Sequence, residues 1–210
     1  MRFAALLVLA VLAPQADKWE KDIAAFEAQD AKAAPPEGGI VFVGSSTIRM
    51  WKTKEAFPDL PVINRGFGGS EMSDAARYCE RIVTKYKPKR VVVFAGGNDI
   101  NNKKTPRQVL ESAQELAKKI HAALPETRIH FVSLYPNVKR QAQDPLCQEV
   151  NALIEAHTKT DKRLSFINAA PLMRAADGGP RPELLAKDGL HMNDDGYKLW
   201  NELVGPILRR

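Results

Sequence analysis

Ile40-Val41-Phe42-Val43-Gly44-Ser45-Ser46-Thr47 is the stretch on which the fold turns. Four apolar residues run without interruption into a glycine and two serines. A short continuous apolar run suits a strand covered on both faces, as in a parallel sheet sandwiched between helices. A small polar turn straight after it is where such a strand hands over to a helix.

The same alternation repeats on either side. Upstream, residues 19–33 read as an amphipathic helix with Trp19, Ile23 and Phe26 on one face, broken by Pro35-Pro36-Glu37-Gly38-Gly39. Downstream, a helix is expected over 47–57, and a second strand over Pro61-Val62-Ile63-Asn64 that enters a glycine-rich loop. A helix over 73–86 has Ser73 as its N-cap, and residues 90–95 form the third strand. Thr105-Pro106 opens a long helix to about residue 124, since Thr caps well and Pro suits the first turn. Strand 128–134, helix 144–157, strand 164–167 and helix 193–208 complete the chain. Strands alternating with helices predict a single three-layer α/β/α domain with a five-stranded parallel sheet.

Composition agrees. The chain has 210 residues, 44% hydrophobic and 27% charged, with 13 Gly and 14 Pro. Those values exclude disordered, collagen-like and low-complexity classes. Two cysteines cannot build a disulfide scaffold; Cys79 and Cys147 fall in different predicted helices, with no histidine beside them to suggest a thiol nucleophile or a zinc site. The net charge of +6 is mildly basic. The cluster Lys85, Lys87, Lys89, Arg90 follows a helix end, where cations complement the helix dipole, and it lacks the interleaved aromatics of a nucleic-acid surface.

Residues 1–16 form a separable segment. Arg2 precedes an apolar run over 3–13, too short for the roughly 20 residues of a membrane span and suited to an export signal. Val11-Leu12-Ala13 offers small residues for cleavage, with Ala16 as a second choice. The expectation is a secreted or periplasmic protein with no membrane span and a domain over 17–210.

In an open parallel sheet, ligands sit beyond the carboxyl ends of the strands. The polar and glycine-rich residues of this chain gather at those ends. They are Gly44-Ser45-Ser46-Thr47, Asn64-Arg65-Gly66-Phe67-Gly68-Gly69-Ser70, Gly96-Gly97-Asn98-Asp99 and, after the fifth strand, Asp188-Gly189-Leu190-His191. Each alone reads as a turn or loop. Together they supply a serine, a base, an orienting acid and amide donors, the parts that acyl transfer needs. Gly69 can bring a backbone N–H close, Asn98 a side-chain N–H, and Asp188 stands three before His191.

Those four blocks, in that order, resemble the SGNH hydrolases of the GDSL-type esterase and lipase superfamily, in the bacterial branch that begins Gly-Ser-Ser and continues as Ile48-Arg49-Met50-Trp51. The resemblance covers roughly residues 38–207. It implies a flavodoxin-like fold and a serine esterase without metal or organic cofactor. Ser46 is then the nucleophile, His191 the base and Asp188 its orienter. Ser46 N–H, Gly69 N–H and Asn98 form the oxyanion hole. One departure is that the family's Asp before the nucleophile is Ser45 here; register favours Ser46 over Ser45 as the attacking residue.

The other candidates have plainer readings. His121, His130 and His157 are expected to be structural, Asp99 to brace its loop, and Met50 and Trp51 to lie in the core. Arg49 and Arg65 either face the cleft or make ion pairs. Asn193, Asp194 and Asp195 cap and charge the last helix. Expected substrates are small-molecule or carbohydrate esters, with acyl chains short or acetyl; the segment 137–143 is the candidate selecting loop. An acyltransferase, thioesterase or lysophospholipase could use the same triad, and a non-catalytic glycan- or lipid-binding relative is a further alternative. A nucleotide- or flavin-binding module is disfavoured, because Glu71 stands where a dinucleotide fingerprint needs its third glycine. Oligomeric state is not legible.

Overall fold

A computed structural model describes residues 17–210, so the expected export segment 1–16 lies outside the described residues. Five parallel strands, β1 (Ile40–Gly44), β2 (Val62–Gly66), β3 (Arg90–Phe94), β4 (Arg128–Val132) and β5 (Leu164–Ile167), form one sheet in the order β2-β1-β3-β4-β5. Register runs level across the sheet: Ile40 pairs with both Val62 and Arg90, and Arg90 with Arg128. All five residues of β1 are buried, as the apolar run requires. This strand order reverses direction between β1 and β3, and that crevice is where open α/β sheets bind ligands.

The helices are α1 (Glu20–Lys32), α2 (Ser46–Met50), α3 (Thr53–Ala56), α4 (Met72–Arg77), α5 (Cys79–Ile82), α6 (Gly97–Asn101), α7 (Pro106–Ala123), α8 (Asp144–Thr158) and α9 (Asp194–Leu208). On one face of the sheet α4, α7 and α8 pack in succession. On the other, α9 lies against the segment between α2 and α3. Trp200 of α9 is fully buried there, with ring centroids 5.4 Å from Trp51, 5.3 Å from Phe94 and 5.6 Å from Tyr135. Edge-to-face aromatic pairs of this kind add to the energy of simple burial. The cluster joins the last helix to the strand ends that carry the site. Among the described residues, no helix is long and apolar enough to cross a membrane.

Several expected boundaries move. The helix expected over 47–57 is two short helices, α2 and α3. The chain turns at Trp51, which drives its indole into the core at 2% exposure and leaves Met50 outside at 40%. Asn64 Nδ2 takes the carbonyls that the break releases, Ile48 O at 2.6 Å and Trp51 O at 2.9 Å. The helix expected over 73–86 is α4, α5 and a 3-10 turn over Thr84–Tyr86, broken where Tyr78 and Val83 leave helical backbone and are buried. Its cap is Glu71 and not Ser73: Glu71 N donates to Asp74 Oδ2 at 2.8 Å, and the Ser73 hydroxyl accepts from Lys104 Nζ. Strand β2 runs on to Gly66. Asn98 and Asp99, expected in a loop, lie in α6. The Thr105 and Asn193 caps form as expected, on Gln108 N and Gly196 N.

Arg65 makes an ion pair, with Asp30 of α1, inside a group completed by Tyr86 (Arg65 Nε to Tyr86 Oη 2.7 Å; Tyr86 Oη to Asp30 Oδ2 2.6 Å). Cys79 and Cys147 are both free thiols. His121 Nε2 meets Thr127 O at 3.0 Å, a local contact near the end of α7.

His130 of β4 is buried at 6% exposure, with Nδ1 2.6 Å from Ser165 Oγ and Nε2 without a partner. Burial first, and Arg90 and Arg128 second, push its pKa from 6.5 down to about 4. The folded state therefore resists a proton that the unfolded chain accepts, and stability falls as pH drops through that window. The effect is on the order of 3 kcal/mol between pH 7 and 4. Urea unfolding across that range should show a weaker pH dependence for His130→Gln. Equal slopes would remove His130 as the cause.

Candidate active site

Gly44 ends β1 at φ +142°, and a Cβ there would lie 1.9 Å from Phe94 O. Only glycine allows β1 to run this close to β3 before turning. Ser45 follows in extended backbone, its N–H on Phe94 O at 3.1 Å, and α2 begins at Ser46. Ser45 is buried at 6% exposure, whereas Ser46 is half-exposed. Thr47 O accepts from Tyr197 Oη of α9 at 2.8 Å, which fastens this turn to the last helix.

The second block folds back onto β1. Phe67 N donates to Gly44 O at 3.0 Å, and the fully buried Ser70 hydroxyl donates to Phe67 O at 2.8 Å. Gly69 holds φ +81°, a left-handed conformation natural to glycine. The third block is anchored by Asp99, which is fully buried. Its Oδ2 accepts Met72 N at 2.9 Å and so ties α6 to the start of α4, a longer reach than a local brace. Burial pushes the Asp99 carboxyl up, against the pull of Met72 N–H and Lys104.

Asn98 has one carbonyl oxygen and two N–H donors to place. Nδ2 donates to Ser70 O at 3.0 Å, and Oδ1 accepts from Arg140 Nη1 at 3.1 Å. One N–H of the amide remains. Among the described residues, no protein acceptor takes the Ser46 or Gly69 N–H either.

The fourth block is a tight loop closed by Ala186 N on His191 O (2.8 Å), opposite an isolated bridge between Leu185 and Met192. Asp188 Oδ1 accepts the N–H groups of Leu190 (2.9 Å) and His191 (3.0 Å). Its other oxygen meets His191 Nδ1 at 2.6 Å. His191 Nε2 then reaches Ser46 Oγ at 2.8 Å. Partial burial raises the Asp188 carboxyl, but the Leu190 N–H, the His191 ring and the His191 N–H outweigh it and hold the group at about 2. The carboxylate is thus ionised throughout the range in which the imidazole works, and it can stabilise a proton on the ring. Tyr135 Oη donates to Leu190 O at 3.2 Å and steadies the loop from below.

A cavity of ≈ 50 Å³ opens at this point. Ser46, Asn98 and His191 line it together with Leu134, Tyr135 and Leu190. Residues Asn137, Arg140 and Gln143 of the expected selecting loop form another part of its wall. Gly69 is not among its lining residues and borders a neighbouring depression beside Trp19. Arg49, a candidate for the cleft, lies over Gly68 instead, where a Cβ would meet its guanidinium at 2.5 Å. Reading the sequence missed Arg140, Tyr135 and Ser70. The segment 137–143 was legible as a loop at the right edge of the sheet, but nothing in its spacing marks Arg140 as the residue that meets Asn98.

A model of the GDSL-like lipase/acylhydrolase family matches residues 49–199, from just beyond the Gly44-Ser45-Ser46-Thr47 block to the middle of α9. Solved structures share the fold. A Streptococcus pneumonia protein superposes with a TM-score of 0.81 at 18% identity, covering 91% of this chain and 92% of its own. A GDSL-like lipase from Bacteroides thetaiotaomicron gives 0.75 at 20% identity, covering 89% and 97%. An acetylxylan esterase from Geobacillus stearothermophilus, solved as a catalytic mutant, gives 0.65 at 12% identity, covering 82% and 95%. A search of curated proteins found no match. With its family model matched over most of the length, this chain belongs to the GDSL-like lipase/acylhydrolase family and is a hydrolase acting on ester bonds.

Proposed function

We propose that the protein is a serine esterase that acts through an acyl-enzyme on Ser46 and prefers short-chain or acetyl esters. The observation that carries this reading is the unbroken chain from Ser46 Oγ through His191 to Asp188, at 2.8 and 2.6 Å, opening on a narrow cavity.

Ser46 Oγ attacks the ester carbonyl carbon as its proton passes to His191 Nε2. The carbonyl oxygen gains the negative charge of the tetrahedral intermediate. The Ser46 and Gly69 N–H groups and the remaining N–H of Asn98 receive it, in a site where fixed donors need no reorganisation. The intermediate collapses, the C–O bond to the alcohol breaks, and His191 returns the proton to the leaving oxygen. Water then attacks the acyl-enzyme; His191 takes its proton and gives it back to Ser46 Oγ as the acid departs. Asp188 holds Nδ1–H throughout and keeps Nε2 aimed at the serine.

Acyl length follows from the wall. Beside Ser46 the pocket offers Leu134, Tyr135 and Leu190 and then the polar Asn137, Arg140 and Gln143, so the apolar surface open to an acyl chain is short. Acetylated carbohydrate enters the candidate list because the Geobacillus neighbour is an acetylxylan esterase. A p-nitrophenyl ester series from acetate to decanoate, run beside acetylated xylan, tests this. The expected kcat/KM is greatest for acetate or propionate and lower by at least about tenfold at octanoate, because longer chains run onto the polar side chains of Asn137, Arg140 and Gln143. Highest activity on the long chains would contradict the short-acyl reading. Parallel product analysis with alcohol acceptors would reveal an acyltransferase as a transferred ester in place of free acid.

A further inference from the structure

Most of the partly buried arginines have a carboxylate partner among the described residues; Arg140, in the wall of the cavity, and Arg90, at the start of β3, do not. Arg81, Arg163, Arg174 and Arg181 each pair with a carboxylate. Among the described residues, none pairs with Arg140. Its backbone N–H is fixed on Asn137 Oδ1 at 2.9 Å, in the loop after β4. Its Nη1 donates to two neutral oxygens of α6, Gly97 O at 3.1 Å and Asn98 Oδ1 at 3.1 Å. Withdrawing a guanidinium from water without a counter-charge costs stability unless its contacts serve something else.

Those contacts decide which way the Asn98 amide faces. An Asn amide is nearly symmetric in shape and can flip, exchanging its oxygen and nitrogen. A guanidinium can only donate, so the atom facing Arg140 must be Oδ1. Ser70 O can only accept, so the atom facing it must be Nδ2. Between them, the two neighbours leave a single orientation, with one N–H of Nδ2 free. Arg140 also withdraws electron density through Oδ1, which makes that N–H a stronger donor.

We propose that Arg140 is the positioning residue of the oxyanion hole: it locks and polarises the Asn98 amide, so that the free N–H of Nδ2 is held ready for the developing oxyanion. This rests on the reading of Asn98 as an oxyanion donor. It accounts for a cation with no carboxylate partner in the wall of the cavity, since a carboxylate there would compete for the guanidinium N–H groups that hold Asn98 Oδ1. The role lies with Arg140 and not with Lys: two N–H groups of one planar fork can reach two oxygens at fixed angles, whereas an ammonium is a point charge on a flexible stem.

The test is a double-mutant cycle on hydrolysis of p-nitrophenyl acetate, with circular dichroism and thermal unfolding as controls for folding. Asn98→Ala should lower kcat by about 10²–10³-fold. Arg140→Met should lower kcat by about 10–100-fold with KM within about twofold, because the interaction matters only once charge develops. Arg140→Lys should recover part of that loss. The decisive result is the double variant: Arg140→Met in the Asn98→Ala background should cost little more, because the residue through which Arg140 acts is already gone. Additive losses, or an undiminished kcat in Arg140→Met while Asn98→Ala is slow, would overturn the positioning role and leave the esterase reading intact. An undiminished kcat in Asn98→Ala would overturn both. If Arg140→Met does not fold, the same cycle run with Arg140→Lys decides the matter by the same additivity criterion.

Discussion

Ser46→Ala is expected to lower kcat for p-nitrophenyl acetate by about 10⁶-fold, with thermal unfolding almost unchanged; in a serine hydrolase, loss of the nucleophile alone removes nearly the whole contribution of the triad. The unchanged fold is as much part of the expectation as the lost rate. The Ser46 hydroxyl contacts His191 and no core group, so its loss leaves the packing around α2 intact. Ser45→Ala is the informative partner. Ser45 is buried beside β3 and its hydroxyl has no hydrogen bond among the described residues, so this variant should retain most of the activity. Steady-state rates and melting curves of the two variants check both halves. Activity surviving in Ser46→Ala and vanishing in Ser45→Ala would move the nucleophile by one residue.

The second large effect is at His191. His191→Ala should cost a similar factor, about 10⁵–10⁶ in kcat, and combining it with Ser46→Ala should add almost nothing, since the two groups transfer one proton between them. The ring is 20% exposed, and its loss opens no cavity in the core. The loop keeps its shape through the backbone bonds of Ala186 N to His191 O and of Asp188 Oδ1 to the Leu190 and His191 N–H groups. Because those N–H groups and the ring hold Asp188 at about 2, protonation of Asp188 should not limit the rate above roughly pH 3. An additive double variant would show that His191 and Ser46 do not act as a unit.

The strands were the most legible part of the chain. Five short, mostly apolar runs gave five strands within two residues at each end, because a strand covered on both faces is apolar over most of its length; Arg65 and His130 are buried exceptions that find partners inside. Helices misread where burial of one large side chain outweighs local propensity. Trp51 ends α2 after five residues because the core between α9 and the sheet has room for its indole. Tyr78 and Val83 divide the helix expected over 73–86 for the same reason. At the site, Ser46, Asn98, Asp188 and His191 were readable together, since topology brings the strand ends to one edge whatever the loops do. Arg140 was not. Its partner is 42 positions away, and its role depends on being a donor that faces an amide, a relation no periodicity encodes. Asp99 likewise looked local, yet it holds the first N–H of α4.

The most direct test of the reading is covalent. The protein would be treated with a fluorophosphonate, digested, and the adduct located by fragmentation mass spectrometry. A single phosphonyl group on Ser46 is expected, absent from Ser46→Ala, present in Ser45→Ala, and slow to form in His191→Ala. An adduct on Ser45, or no adduct on a folded protein, would contradict a Ser46 nucleophile activated by His191.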